Sequence, residues 1–199
     1  SHPVEVIRTV SRCAPEGSLV VTDVGQHQMW VARTYPFPTG RTFFTSGGLG
    51  TMGFGLPAAI GAAIAERSGT VICFSGDGSI LMNIQELARL ADLGLNVKVI
   101  IMNNGQLGLV RQQQELFYSK KYIASSFSTR PDFAAIAAGF GLKGTVMKSG
   151  SIDEAHLTSL LGESGPCLIN IDIEGEYNVY PMVPPGNENI YMLKEDMNG

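Results

Sequence analysis

A chain of 199 residues with 44% apolar and 16% charged residues has the composition of one compact domain, or at most a domain with an appendage, which excludes a disordered chain. A net charge of −4 with no basic cluster argues against a nucleic-acid partner, and no apolar run approaches the roughly 18 residues of a membrane helix. Cys13, Cys73 and Cys167 are odd in number and widely spaced, so they read as buried thiols of a reducing compartment, not as a disulfide frame or zinc site.

No charged-then-apolar leader precedes the first helix, so the expected location is the cytoplasm. Val4–Cys13 carries apolar residues at helical spacing, and Pro15-Glu16-Gly17 closes it. Leu19–Thr22 is a short strand ending at Asp23-Val24-Gly25. Gln26-His27-Gln28 then opens a helix that includes Met29 and Trp30. Polar residues at such a junction suit an anion, because free backbone N–H groups point outward there, although a lone histidine in this place is more often structural.

Phe43–Thr45 is a second strand, followed by SGGLGTMGFGLPAAIGAAIA. The glycines from Gly47 to Gly55 let this loop approach a ligand closely. The helix from about Phe54 to Glu66 is rich in Ala and Gly, with Pro57 in its first turn, where a missing N–H costs nothing. Gly48-Leu49-Gly50-Thr51-Met52-Gly53 also satisfies G-x-G-x-x-G between a strand and a helix, the dinucleotide fingerprint, with Asp77 roughly where a ribose-binding acid would stand. On the loop alone that reading stays open.

The apolar strand Thr70–Ser75 runs into Gly76-Asp77-Gly78. Ile80, Leu81, Ile84, Leu87, Ala88 and Ala91 then recur at three- and four-residue steps, which predicts one helix that Gly94 terminates. A second apolar strand, Val97–Met102, runs into Asn103-Asn104. Two strands joined by a helix are parallel and right-handed in nearly all folds, so Asp77 and Asn104 emerge at one carboxyl edge, where open α/β sheets bind ligands. A carboxylate and an amide oxygen are hard donors suited to Mg²⁺, which completes its shell with phosphate oxygens and water. Either dipeptide alone is a polar turn; the pair after successive strands points to a shared metal.

Leu107–Tyr118 predicts a further helix. Lys120–Arg130 is a serine-rich loop, and Asp132–Phe140 is helical. Thr145–Met147, the helix Ile152–Leu161 and the strand Cys167–Ile173 finish the sheet, and nothing in this last unit carries chemistry. Tyr180–Gly186 is a Pro-rich extended stretch. The domain is placed at residues 1–186 and a C-terminal tail at 187–199.

Gly-Asp-Gly followed by Asn-Asn resembles the thiamine-diphosphate motif, and the stretch TDVGQHQMW resembles acetolactate synthases. That resemblance implies an α/β thiamine-diphosphate-binding fold, a parallel central sheet flanked by helices on both faces. It implies that Asp77 and Asn104 ligate Mg²⁺ by their side chains and Gln106 by its carbonyl. It also implies that Gln26 and His27 lie near the cofactor diphosphate and that Gly76, Gly78, Ser79 and Gly108 belong to the cofactor site. The Gly50 carbonyl would accept from the aminopyrimidine amine, Met52 would hold the cofactor bent, and Leu109 would touch its rings. Most acetolactate synthases carry Trp where this chain has Gln113, a position tied to preference for 2-oxobutyrate, so the acceptor is not implied.

The resemblance covers only the last of three family domains. The glutamate that activates the cofactor and the FAD site belong to the other two, so no catalytic residue is assigned in this chain. The implied partners are pyruvate, a second 2-oxo acid and a pyrimidine-side domain or subunit, in a homo-oligomer, with the isolated chain inactive. Three alternatives stay open: the small subunit of a two-chain decarboxylase such as sulfopyruvate decarboxylase, an NAD-binding oxidoreductase domain, and a degenerate regulatory module.

Overall fold

The computed structural model describes residues 1–37, 40 and 42–195; the last four positions of the expected tail, 196–199, lie outside the described residues. The strands are β1 (Leu19–Thr22), β2 (Phe43–Thr45), β3 (Val71–Gly76), β4 (Val97–Asn103), β5 (Lys143–Lys148) and β6 (Cys167–Asp172). They form one sheet in the order β2-β1-β3-β4-β6-β5, and every pairing is parallel. The helices are α1 (Pro3–Cys13), α2 (Gln26–Thr34), α3 (Gly55–Ala65), α4 (Asp77–Ile80), α5 (Glu86–Leu93), α6 (Gly108–Phe117), α7 (Phe133–Gly139) and α8 (Glu154–Gly162).

Two apolar cores cover the two faces of the sheet, as a parallel sheet requires. Ile72, Phe74, Ile100 and Met102 face one layer, packed on α1, α2 and α8 through Ile7, Val10, Trp30, Val31 and Leu157. Their neighbours Val71, Cys73, Val99 and Ile101 face the other, packed on α3, α5 and α7 through Leu56, Ala59, Leu87, Leu90 and Phe133. β4 is buried along its whole length, and even Lys98 is covered. Its Nζ donates to the carbonyls of Glu163 and Gly165, each at 2.6 Å, which satisfies the buried cation at the end of the sheet away from the ligand edge. The three cysteines are buried and free. Among the described residues no helix is long and apolar enough to cross a membrane.

The single helix expected across Ile80–Ala91 is two. α4 ends after one turn, and the chain runs through three-residue turns before α5 begins at Glu86. Asn83 explains the break: its Nδ2 donates to the Gly53 carbonyl at 2.7 Å, a tertiary bond that holds the turn against the glycine loop. α5 does end at Gly94, which takes the left-handed conformation (φ 58°).

Candidate functional site

From β1 the chain steps out to the edge strand β2 and then returns to the other side of β1 to form β3. The direction of winding therefore reverses between β1 and β3, and the loops leaving their carboxyl ends part into a crevice. A cleft of about 880 Å³, its open mouth included, occupies that crevice. Every residue that the resemblance assigns to the cofactor or the metal lines it: Gln26 and His27 from the β1 side, Gly50 and Met52 from the glycine loop, Gly76, Asp77, Gly78 and Ser79 after β3, and Asn104, Gln106, Gly108 and Leu109 after β4.

Of the helices that open at this cleft, α2 and α6 have no side-chain cap on their first turn. By contrast α7 and α8 are capped by Asp132 and Asp153, whose carboxylates accept from Ala135 and His156 at 2.9 and 3.0 Å. Uncapped N-terminal N–H groups converging on one cleft make it receptive to an anion. His27 stands at the head of α2, almost completely buried. It is hydrogen-bonded to the backbone of Asp23, and its Nε2 has no partner. Burial lowers its pKa to about 4, so the ring is neutral in the absence of an anion.

In the register of β3 with β4, Gly76 lies opposite Met102, which brings Asp77 level with Asn103. The two asparagines then divide their work. Asn103 turns into the sheet and donates to Asn170 at 3.0 Å, while Asn104 faces the cleft and its Oδ1 accepts the Gln106 N–H at 3.1 Å. Ser79 Oγ accepts the Gly76 N–H at 3.0 Å, which turns β3 sharply into α4. Asp77 is 4% exposed, and burial pushes its carboxyl up to about 6 despite backbone N–H groups around it and the charge of Arg130. A buried carboxylate in that state is under-compensated, and a cation in the cleft would relieve it. Among the described residues no three His, Cys, Asp or Glu side chains gather where they could hold a metal alone, so most of a cation's shell here must come from amide, carbonyl and ligand oxygens.

Sequence reasoning passed over Asp23. Its carboxylate is fully buried and accepts the N–H groups of Val24, Gly53 and Gly55 at 2.7, 2.8 and 2.9 Å, which pins the glycine loop beside the cleft. An acid directly after a strand, with no basic residue near it in the sequence, was the available signal. The same bonds remove the dinucleotide reading of Gly48–Gly53. That loop follows the edge strand β2 and is held by Asp23 as a wall of the cleft, whereas a dinucleotide fingerprint makes the tight turn after a central strand. Gln112 was also unrecognised. It is fully buried in α6 and bonds to Gln26.

Comparison with known proteins agrees with this geometry. Residues 23–171 match the family model described as thiamine pyrophosphate enzyme, C-terminal TPP binding domain. The chain is 50% identical over 190 residues to the acetolactate synthase isozyme 1 large subunit of Escherichia coli, covering 96% of this chain and 34% of that protein. It is 43% identical over 192 residues to the acetolactate synthase large subunit of Lactococcus lactis, covering 96% of this chain and 33% of that protein. The thiamine diphosphate-dependent 4-hydroxybenzoylformate decarboxylase of Rhodococcus jostii superposes with a TM-score of 0.78 at 26% identity, over 86% of this chain and 32% of that one. The chain thus spans about a third of the length of the relatives it matches. With the family model matched across most of the cleft lining and most of the sheet, the chain belongs to the thiamine pyrophosphate enzymes, as a C-terminal TPP binding domain.

Proposed function

We propose that this chain is the diphosphate- and Mg²⁺-binding domain of an acetolactate synthase large subunit. The observation that carries the reading is that Asp77 and Asn104, following the adjacent central strands β3 and β4, line one cleft with the partnerless Nε2 of His27. The identity to acetolactate synthase large subunits supports the choice among thiamine enzymes.

The residues fit the cofactor's two poles. At the polar end, Asp77, Asn104 and the Gln106 carbonyl would hold Mg²⁺, and His27 with the first turns of α2 and α6 would receive the diphosphate oxygens. At the apolar end, Met52 and Leu109 flank the space where rings would lie, and the Gly50 carbonyl is the acceptor for an exocyclic amine. Thiamine diphosphate, when bound, supplies an acidic ring carbon and an electron sink for the decarboxylation of pyruvate and transfer to a second 2-oxo acid. The chain's own part is to anchor, bend and orient it, and to keep water from its buried pole through Trp30, Met102 and Ile173. The activating glutamate and the FAD site are assigned to domains beyond these residues, in the manner of a site completed by a pyrimidine-side domain of a neighbouring subunit. The chain by itself therefore binds the cofactor and does not turn over pyruvate.

Titration calorimetry with thiamine diphosphate, with and without Mg²⁺, tests the reading. Binding that requires Mg²⁺ and is abolished by Asp77→Ala is expected; metal-independent binding, or none, would refute it. Acetolactate formation by the purified chain would refute the assignment of the activating group elsewhere.

A further inference from the structure

β6 lies on the far side of β4 from Asp77, yet a file of polar side chains runs from it to the turn that follows β4. In the register of β4 with β6, Asn103 lies opposite Asp172 and Ile101 opposite Asn170, so Asn103, Asn170 and Asp172 share one face of the sheet. Asn170 and Asn103 are both buried, so each amide needs a partner at both ends. Asn170 Nδ2 donates to Asp172 Oδ1 at 2.8 Å, Asn103 Nδ2 donates to Asn170 Oδ1 at 3.0 Å, and Asn103 Oδ1 accepts the Gly105 N–H at 3.2 Å. A carboxylate only accepts and a backbone N–H only donates. The two amides between them therefore have a single consistent orientation, and turning either over sets like against like.

We propose that Asn170 is a positioning residue for the metal: through Asn103 it fixes the turn at 103–106, from which the Asn104 side chain and the Gln106 carbonyl would reach Mg²⁺. This inference rests on the reading of the cleft as a thiamine-diphosphate site. The turn consists of two overlapping side-chain-to-backbone bonds, Asn103 Oδ1 to the Gly105 N–H and Asn104 Oδ1 to the Gln106 N–H at 3.1 Å, with Gly105 in the left-handed region (φ 70°). If Asn103 turned over, its Nδ2 would face the Gly105 N–H, the first bond would be lost, and the second, which sets Asn104 Oδ1, would lose its base. The Gly105 N–H also stands beside the Asp77 carboxyl, so the file ends at both side chains that would hold the ion. Other bonds hold the backbone here: Phe127 donates its N–H to the Gly105 carbonyl at 2.9 Å, and Ile173 donates to the Asn103 carbonyl at 2.8 Å. They keep the strand and the turn in place when Asn170 is altered and leave the Asn103 amide free to turn.

Calorimetric titration of the chain separates two quantities: the Mg²⁺ concentration that half-saturates binding at saturating thiamine diphosphate, and the affinity for thiamine diphosphate at saturating Mg²⁺. Asn170→Leu, which is close in size and removes both polar ends, should raise the first roughly tenfold and leave the second nearly unchanged. Leu168→Ala, on the same strand and in the same apolar core, should destabilise the fold and move neither, which separates positioning from a merely structural loss. Because Asn170 acts through Asn103, adding Asn170→Leu to Asn103→Leu should raise the Mg²⁺ requirement no further. An unchanged requirement in Asn170→Leu, an equal rise in Leu168→Ala, or additive rises in the pair would each overturn the inference and leave the cofactor reading intact. If Asn170→Leu does not fold, Asp172→Ala decides, since it removes the half-buried anchor of the file and lets Asn170 turn. A smaller rise in the Mg²⁺ requirement is then expected, and none overturns the inference. Failure of the unaltered chain to bind thiamine diphosphate removes the reading and the inference together.

Discussion

Asp23 Oδ2 accepts the backbone N–H of Gly55 at 2.9 Å, tying the end of β1 to the first turn of α3. Oδ1 accepts from Gly53 at 2.8 Å and Val24 at 2.7 Å, so a single carboxylate fixes the loop that carries Gly50 and Met52. Asp23→Ala strands three buried N–H groups and should destabilise the fold by about 3 kcal/mol. Asp23→Asn keeps one oxygen and turns an NH₂ toward a donor, so it should cost about half as much. Urea denaturation of both variants measures this. An Asp23→Ala protein as stable as its parent would show that the loop holds itself.

Burial of the Asp77 carboxyl is a cost to stability at neutral pH. Its folded pKa, about 6, lies above the ordinary 3.8, because burial disfavours the charged form. The sign follows from linkage: the folded state is favoured by the bound proton below pH 3.8, and that advantage is lost as pH rises through about 6. At neutral pH and without metal, Asp77→Asn should therefore be more stable than the parent by about 1–2 kcal/mol, a gap that closes on acidification below pH 4. Thiamine diphosphate with Mg²⁺ should raise the melting temperature of the parent and leave that of Asp77→Asn unmoved, and EDTA should erase the parent's shift. Melting curves across pH, with and without cofactor, would contradict this if Asp77→Asn were the less stable protein at pH 7 in EDTA.

The sheet was legible because β3 and β4 are apolar without alternation, the mark of strands covered on both faces. The ligand edge was legible because Gly-Asp-Gly and Asn-Asn each end such a strand. What periodicity could not show was any structure made by partners remote in the chain. Ile80, Leu81 and Ile84 keep helical spacing, yet Asn83 leaves the helix for the Gly53 carbonyl. Tyr180–Gly186 reads as an extended linker in composition, yet the chain entering it is held by Arg111 and Gln112 on α6 and by Arg33 on α2. Asp23 takes its role only through the backbone N–H groups of Gly53 and Gly55, 30 and 32 positions further along the chain.

His27 sets the opposite pH dependence to Asp77. Its folded pKa is lowered to about 4 by burial, against 6.5 in the unfolded chain, so the unfolded state takes up the proton first. The stability it contributes is whole above pH 6.5 and is lost as pH falls toward 4, by a few kcal/mol at most. Acid denaturation in the Asp77→Asn background removes the opposing contribution of Asp77, and that of Asp23, also raised by burial, is common to the proteins compared. Replacing His27 by Gln in that background should flatten stability between pH 6.5 and 4. An unchanged slope would mean that the ring is already protonated, or exposed, in the folded protein.

Gly78 tests how tightly the cleft floor is built. A methyl group added there would overlap Leu107 Cδ2 and press on the ring of Phe127 at 3.1 Å. Phe127 cannot retreat easily, because its N–H donates to the Gly105 carbonyl at 2.9 Å and the adjoining Ser125 carbonyl accepts from Leu107 at 2.8 Å. Gly78→Ala should therefore cost about 1–3 kcal/mol by overpacking. The end of a leucine is the softer of the two obstacles, so Leu107→Ala added to Gly78→Ala should recover part of that loss even though Leu107→Ala alone is destabilising. A double-mutant cycle on unfolding free energy reads the coupling directly. Additive losses would place the strain in the Gly78 backbone or against Phe127, and Phe127→Leu in place of Leu107→Ala would then separate those two sources.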